Sequence, residues 1–112
     1  MSRDLGFAEY IVEDVLGHME GITFKVLFSG YGVYLEGVIV GIIIDGIFYT
    51  KTNKELMIKY EKEGCEPFKY KRNDKKVVVM PYVSVPIEIL EDREKISDRI
   101  YESFELVNKK DA

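Results

Sequence analysis

The chain has one histidine, one cysteine, no glutamine and three asparagines in 112 residues. With only His18 and Cys65, neither a His/Cys zinc site nor a Cys-His nucleophile pair can be assembled from motif spacing. A lone cysteine cannot close an internal disulfide, which agrees with a reducing compartment. No stretch reaches the ~18 uninterrupted apolar residues of a membrane helix, and the opening residues, MSRDLG, lack the apolar core of a signal peptide. A cytoplasmic protein without membrane contact is expected. Carboxylates are numerous but follow no catalytic spacing. Ser29-Gly30-Tyr31-Gly32 is glycine-rich, yet it lacks the GxGxxG pattern and the following helix of a phosphate-binding loop. It is expected to be a structural connection. His18 is expected at a helix end and Cys65 as a small packed hydrophobe. The expectation is a non-enzyme with no catalytic residue, cofactor or metal, an unrecognised enzyme being an alternative.

Charge is low in sum and uneven along the chain. The net value of −4 divides into two basic and seven acidic residues over 1–50, nine and five over 51–76, and five and eight over 77–112. An acidic whole with a basic middle disfavours a dedicated DNA-binding module, whose affinity comes mainly from neutralising phosphates. At this length the surface scaling allows about two-thirds of the extended chain's surface to be buried, so one domain over residues 1–112 is expected. Lys and Glu are plentiful where glutamine is missing, a bias found in heat-adapted proteins.

What is abundant is β-type patterning between residues 22 and 51. Ile22, Phe24, Val26 and Phe28 alternate with Thr23 and Lys25, as on a half-buried strand. Ser29 to Gly32 reads as a bulge or tight connection, after which Val33 to Leu35 resumes the strand. Glu36-Gly37 and Asp45-Gly46 predict two hairpins sharing the middle strand Val38 to Ile44. That strand is apolar at nearly every position, so both faces need cover, from a helix or a second subunit. A homodimer is expected on that ground.

Phe7, Ala8, Ile11, Val12, Val15, Leu16 and Met19 predict a first helix, with Arg3, Glu9 and Glu13 off the stripe, Asp4 as N-cap, and Gly17 or Gly21 at its end. Thr52-Asn53-Lys54-Glu55 predicts a capping box for a short helix through Leu56, Met57 and Tyr60, stopped by Gly64. Phe68 to Lys71 and Val77 to Tyr82 predict another hairpin, Pro81 implying an edge position or strand end. Pro86 suits a first helical position. Asp92 caps a last helix with the stripe Ile96, Ile100, Phe104 and Val107, and Lys109 and Lys110 follow its end. The order α-β-β-β-β-α-β-β-α predicts an α+β fold, helices packed on one antiparallel sheet.

Two surface features invite a binding reading. Tyr31, Tyr34, Tyr49, Tyr70 and Tyr82, with Phe48 and Phe68, offer an aromatic surface, although strands favour aromatics for packing alone. Lys69, Lys71, Arg72, Lys75 and Lys76, interleaved with Phe68 and Tyr70, form the one stretch resembling a nucleic-acid surface. A solvated hairpin tip is the simpler explanation. Weak nucleic-acid binding through residues 68–76 is the second alternative.

The order of motifs resembles the N-terminal domain of the TfoX/Sxy competence-regulator family, from about Phe7 to Val107. The residues carrying the resemblance are Gly21, Lys25, Leu27-Phe28-Ser29-Gly30-Tyr31-Gly32, Gly37, Phe48-Tyr49-Thr50-Lys51, Gly64-Cys65-Glu66-Pro67-Phe68-Lys69-Tyr70 and Tyr82-Val83-Ser84-Val85-Pro86. Lys25 stands where that family usually has arginine, Leu27 replaces methionine, Ser29 replaces a glycine, and Pro81 precedes the tyrosine. The resemblance implies a secretion-chaperone-like two-layer arrangement and no catalytic residues. It also implies a small regulatory or adaptor protein acting through protein contacts in the control of DNA-uptake genes, with a cAMP-receptor-type activator as the partner. Full-length relatives of that family carry a second, helical domain. The candidate interaction surface comprises Lys25, Tyr31, Lys51, Phe68, Lys69, Tyr70, Lys71, Arg72, Lys75, Lys76 and Tyr82.

Overall fold

The computed structural model describes residues 4–110, with side chains through 108. Arg3 and the side chains of Lys109 and Lys110 lie outside the described residues. The elements are α1 (Leu5–Glu9), a π-helical turn (Tyr10–Val15), β1 (Ile22–Leu27), β2 (Gly30–Leu35), β3 (Val38–Ile44) and β4 (Ile47–Lys51). They continue through α2 (Lys54–Lys62), β5 (Pro67–Lys71), β6 (Val77–Ser84), α3 (Ile87–Leu90) and α4 (Arg93–Lys110). The strands form one antiparallel sheet in the order β1-β2-β3-β4-β6-β5, and the fold is α+β as the element order implied.

Both Gly-containing turns of the meander close as expected. Glu36 and Gly37 have φ of 51° and 84°, and Asp45 and Gly46 of 54° and 75°, the paired positive values of a twist-compatible two-residue hairpin. Asp4 caps α1 by accepting the Phe7 N–H at 3.0 Å, and Asp92 caps α4 by accepting the Lys95 N–H at 3.0 Å. Gly64, at φ 91°, ends α2.

The core lies between one sheet face and the helices. Ala8, Ile11, Leu16, Ile96 and Ile100 from the helical segments bury against Val33, Val40, Ile43 and Phe48. Strand alternation sends Ile42, Ile44 and Tyr82 to the opposite face, where Leu27, Ile39, Tyr49, Phe68 and Met80 surround them with no helical residue in the cluster. The second cover of β3 is thus the sheet itself. The β5–β6 hairpin curls over the face far enough to bring Phe68, on the outermost strand, within 5.2 Å of Tyr49 on β4, centroid to centroid. Within one chain, both faces of β3 are therefore covered, and the apolar pattern no longer calls for a second subunit.

Several local expectations are corrected. The first helical segment widens into a π-turn, with the Leu16 N–H bonding the Ile11 carbonyl at 2.9 Å. The connection after β1 is only Phe28-Ser29, and Gly30 and Gly32 belong to β2. A Cβ on Gly30 would stand 1.8 Å from the Ile43 carbonyl oxygen, so the glycine permits close strand approach rather than a turn. Asn53, not Thr52, caps α2, accepting the Leu56 N–H at 2.9 Å, while Thr52 is buried and donates its N–H to the Pro81 carbonyl. Pro81 is not on an edge strand. It lies in β6, between β4 and β5, where Pro81 and Tyr82 have no opposite residues on β5, so no ladder bond to β5 is lost there. Pro86 is the N-cap of α3 rather than its first helical residue, and α4 runs on through Lys109 and Lys110.

Candidate functional site

A cleft of about 320 Å³ opens on the helix-free face, lined by Phe28, Ser29, Ile44, Phe68, Tyr70 and Met80. Phe28 stands at its rim, 68% exposed and with φ of 55°, a conformation that bulky residues seldom adopt. Tyr70, 43% exposed, stacks on Phe68 at 6.2 Å. An exposed aromatic pair around an apolar hollow is the usual form of a recognition pocket for an apolar group. The lining supplies one hydroxyl from Ser29 and one from Tyr70, and no charged group.

The expected interaction residues do not form one surface. Tyr31 is 7% exposed and packs edge-on against Phe24 on the helix side. Tyr82, 6% exposed, is buried on the other face, where the Lys51 ammonium lies 5.0 Å from its ring centroid. Burial, and secondarily Tyr34, raises the Tyr82 hydroxyl above its ordinary pKa. Tyr49 is likewise raised, by burial first and then by Asp45 and Glu66. Lys25 covers Tyr34 at 5.2 Å on β1. Among the aromatics, Tyr34, Tyr49, Phe68, Tyr70 and Tyr82 share the helix-free side, whereas Tyr31 and Phe48 face the helices.

Strand alternation also divides the basic hairpin. Phe68 and Tyr70 face the cleft, and Lys69 and Lys71 project from the reverse face beside Val79 and Val77. A base stacked on the aromatics would therefore not share a face with Lys69 and Lys71. At the tip, Arg72 is held by Asp74 at 2.6 Å; that bond raises the guanidinium and lowers the carboxyl from their ordinary values. Lys75 and Lys76 are exposed.

Arg99 is the polar residue that the helical stripe concealed. It is 5% exposed, donates to Thr50 Oγ1 at 2.7 Å, and sits 4.0 Å from the Tyr60 ring centroid. The Tyr60 hydroxyl donates to Glu102 at 2.5 Å, and Ser103 donates to the Lys51 carbonyl at 2.7 Å. Positions 96, 99, 100, 103, 104 and 107 all follow helical spacing, so the period itself placed Arg99 and Ser103 inward. His18 contacts Ser97 at 2.6 Å, and Cys65 is buried near Tyr60 and Val83. Among the described residues no three His, Cys, Asp or Glu side chains are grouped to hold a metal, and no helix is long and apolar enough to cross a membrane.

The model of the TfoX N-terminal domain family matches residues 14–106. The chain belongs to that family. No curated protein matches it. The TfoX-like segments noted above, Leu27 to Gly32 and Gly64 to Tyr70, are distant in sequence and meet at the cleft, which takes Phe28 and Ser29 from one and Phe68 and Tyr70 from the other.

Proposed function

We propose that the chain is a small non-enzymatic regulatory adaptor that works through protein contacts in the control of DNA-uptake genes, with a cAMP-receptor-type activator as partner. The family membership supports the competence-related role. The observation that carries the adaptor reading is the convergence of two family-like segments on an exposed apolar cleft instead of on a charged or catalytic one. Phe28 and Tyr70 are suited to anchor such a contact, since exposed aromatics dominate interface energetics.

The test is complementation of a deletion strain while DNA-uptake transcripts are measured. The wild-type chain should restore them, and a Phe28→Ser/Tyr70→Ser variant that keeps its circular dichroism should not. Full restoration by that variant removes the cleft from the function, and transcripts unchanged by the deletion remove the regulatory role. In parallel, the purified chain should bind the activator more tightly than it binds DNA at physiological salt. Tight, sequence-selective DNA binding would overturn the adaptor in favour of direct nucleic-acid recognition.

A further inference from the structure

Beside the cleft runs an open sheet edge. β5 is the last strand of the sheet, and Lys69, Tyr70 and Lys71 on it are exposed. The Arg72 N–H bonds the Lys76 carbonyl at 2.9 Å, fixing the hairpin's hydrogen-bonded pairs. In an antiparallel ladder such pairs alternate with non-bonded ones, so Tyr70 and Phe68 spend their backbone groups on β6, while Lys69 and Lys71 turn theirs outward. An unpaired row of N–H and C=O groups is a template for one more strand.

From this edge we infer that β5 takes up an extended segment of a partner protein in which apolar and acidic residues alternate. The two faces of β5 dictate that pattern. Side chains of an added strand that lie beside Phe68 and Tyr70 reach the apolar cleft, and those in between lie beside the Lys69 and Lys71 ammonium groups. The same lysines disfavour a second copy of this chain. Pairing β5 with β5 sets lysines against lysines, and pairing it with β1 puts Lys25 either beside them or into the cleft. This inference rests on the adaptor reading and names its partner's chemistry.

The test uses two pools of short fluorescent peptides, alternating Val, Ile or Phe with Asp or Glu, and the same composition arranged in blocks. Anisotropy should show the alternating pool binding the full chain, and a version with Lys for the acids should bind about tenfold more weakly. Lys69→Pro removes an outward N–H without breaking a ladder bond and should also weaken binding about tenfold at unchanged circular dichroism. Should that variant not fold, Lys69→Glu/Lys71→Glu should produce a loss of similar size. Amide exchange at Lys69 and Lys71 should slow on binding. Absence of binding up to about 1 mM, equal binding of the block pool, or undiminished binding by the folded variants would overturn the inference. Competition of the alternating pool with a single-stranded oligonucleotide for a tighter nucleic-acid site would overturn it as well. A regulatory partner that binds wild type and Lys69→Pro equally keeps the adaptor and removes this edge. Intact peptide binding without any transcript effect keeps the edge and removes the adaptor.

Discussion

Arg99 is buried with no carboxylate at ion-pair distance among the described residues, so neutral groups must offset its desolvation. Thr50, the Val83 and Ser84 carbonyls at 3.4 Å and the Tyr60 ring offset part of it, while the buried Arg99 Nε has no hydrogen-bond partner among the described residues. Arg99→Ala should cost about 2–4 kcal/mol, combining an orphaned hydroxyl with a lost desolvated cation–π contact. Arg99→Met, which fills the space without charge, should cost markedly less, because an apolar isostere avoids the desolvation penalty. Urea unfolding at unchanged slope measures both; equal losses would show that volume, not polarity, matters there. Tyr60 beside it is raised above its ordinary value of 10.0, first by burial and then by its bond to Glu102, with Arg99 opposing. Below about pH 10 both folded and unfolded states keep the proton; above it the unfolded state releases it first, so stability falls as pH rises. Tyr60→Phe should flatten that alkaline decline, leaving the share due to the raised Tyr49 and Tyr82. An unchanged slope between pH 9.5 and 11 would show that Tyr60 does not hold its proton as argued.

At the scale of elements, glycine positions set how closely strands approach. Gly30→Ala would drive a methyl group into the Ile43 carbonyl and should destabilise by about 3 kcal/mol, while Gly37→Ala, in open space but at φ of 84°, tests the turn alone. Thermal melts of the two variants compare them, and a smaller loss for Gly30→Ala would place the strain in the turn. Periodicity and turn chemistry made the meander readable: Glu36-Gly37 and Asp45-Gly46 are local signals, as are the Asp4 and Asp92 caps. The cleft was not readable in the same way. Phe28 and Tyr70 line one cleft across distant strands, with the β5–β6 register shifting opposite Pro81-Tyr82, a long-range arrangement that no window of sequence encodes. Tyr31 looked like a neighbour of the other tyrosines, but alternation along β2 sends it to the helix side. Arg99 was missed for the opposite reason, its charge having overruled a helical spacing that placed it inward.

For the whole molecule, the curl decides what assembly has to accomplish. A doubly apolar β3 would have needed a second copy had the sheet lain flat under its helices. Instead Ile42, Ile44 and Tyr82 are already buried by Leu27, Ile39, Tyr49, Phe68 and Met80 of the same chain. Besides the cleft, both sheet edges stay open, and each carries lysine: Lys25 on β1, Lys69 and Lys71 on β5. Lysine on an edge opposes pairing with an identical edge. A stable homodimer would also have to bury about 800 Å² on each partner. Light scattering at tens of micromolar should therefore give a mass near 13.0 kDa. Replacing the three lysines by threonine, which suits strands and removes the repulsion, should increase self-association through the edges. A wild-type species of twice the chain mass, unchanged by those substitutions, would place a dimer interface on the helices and leave the lysines no part in keeping copies apart.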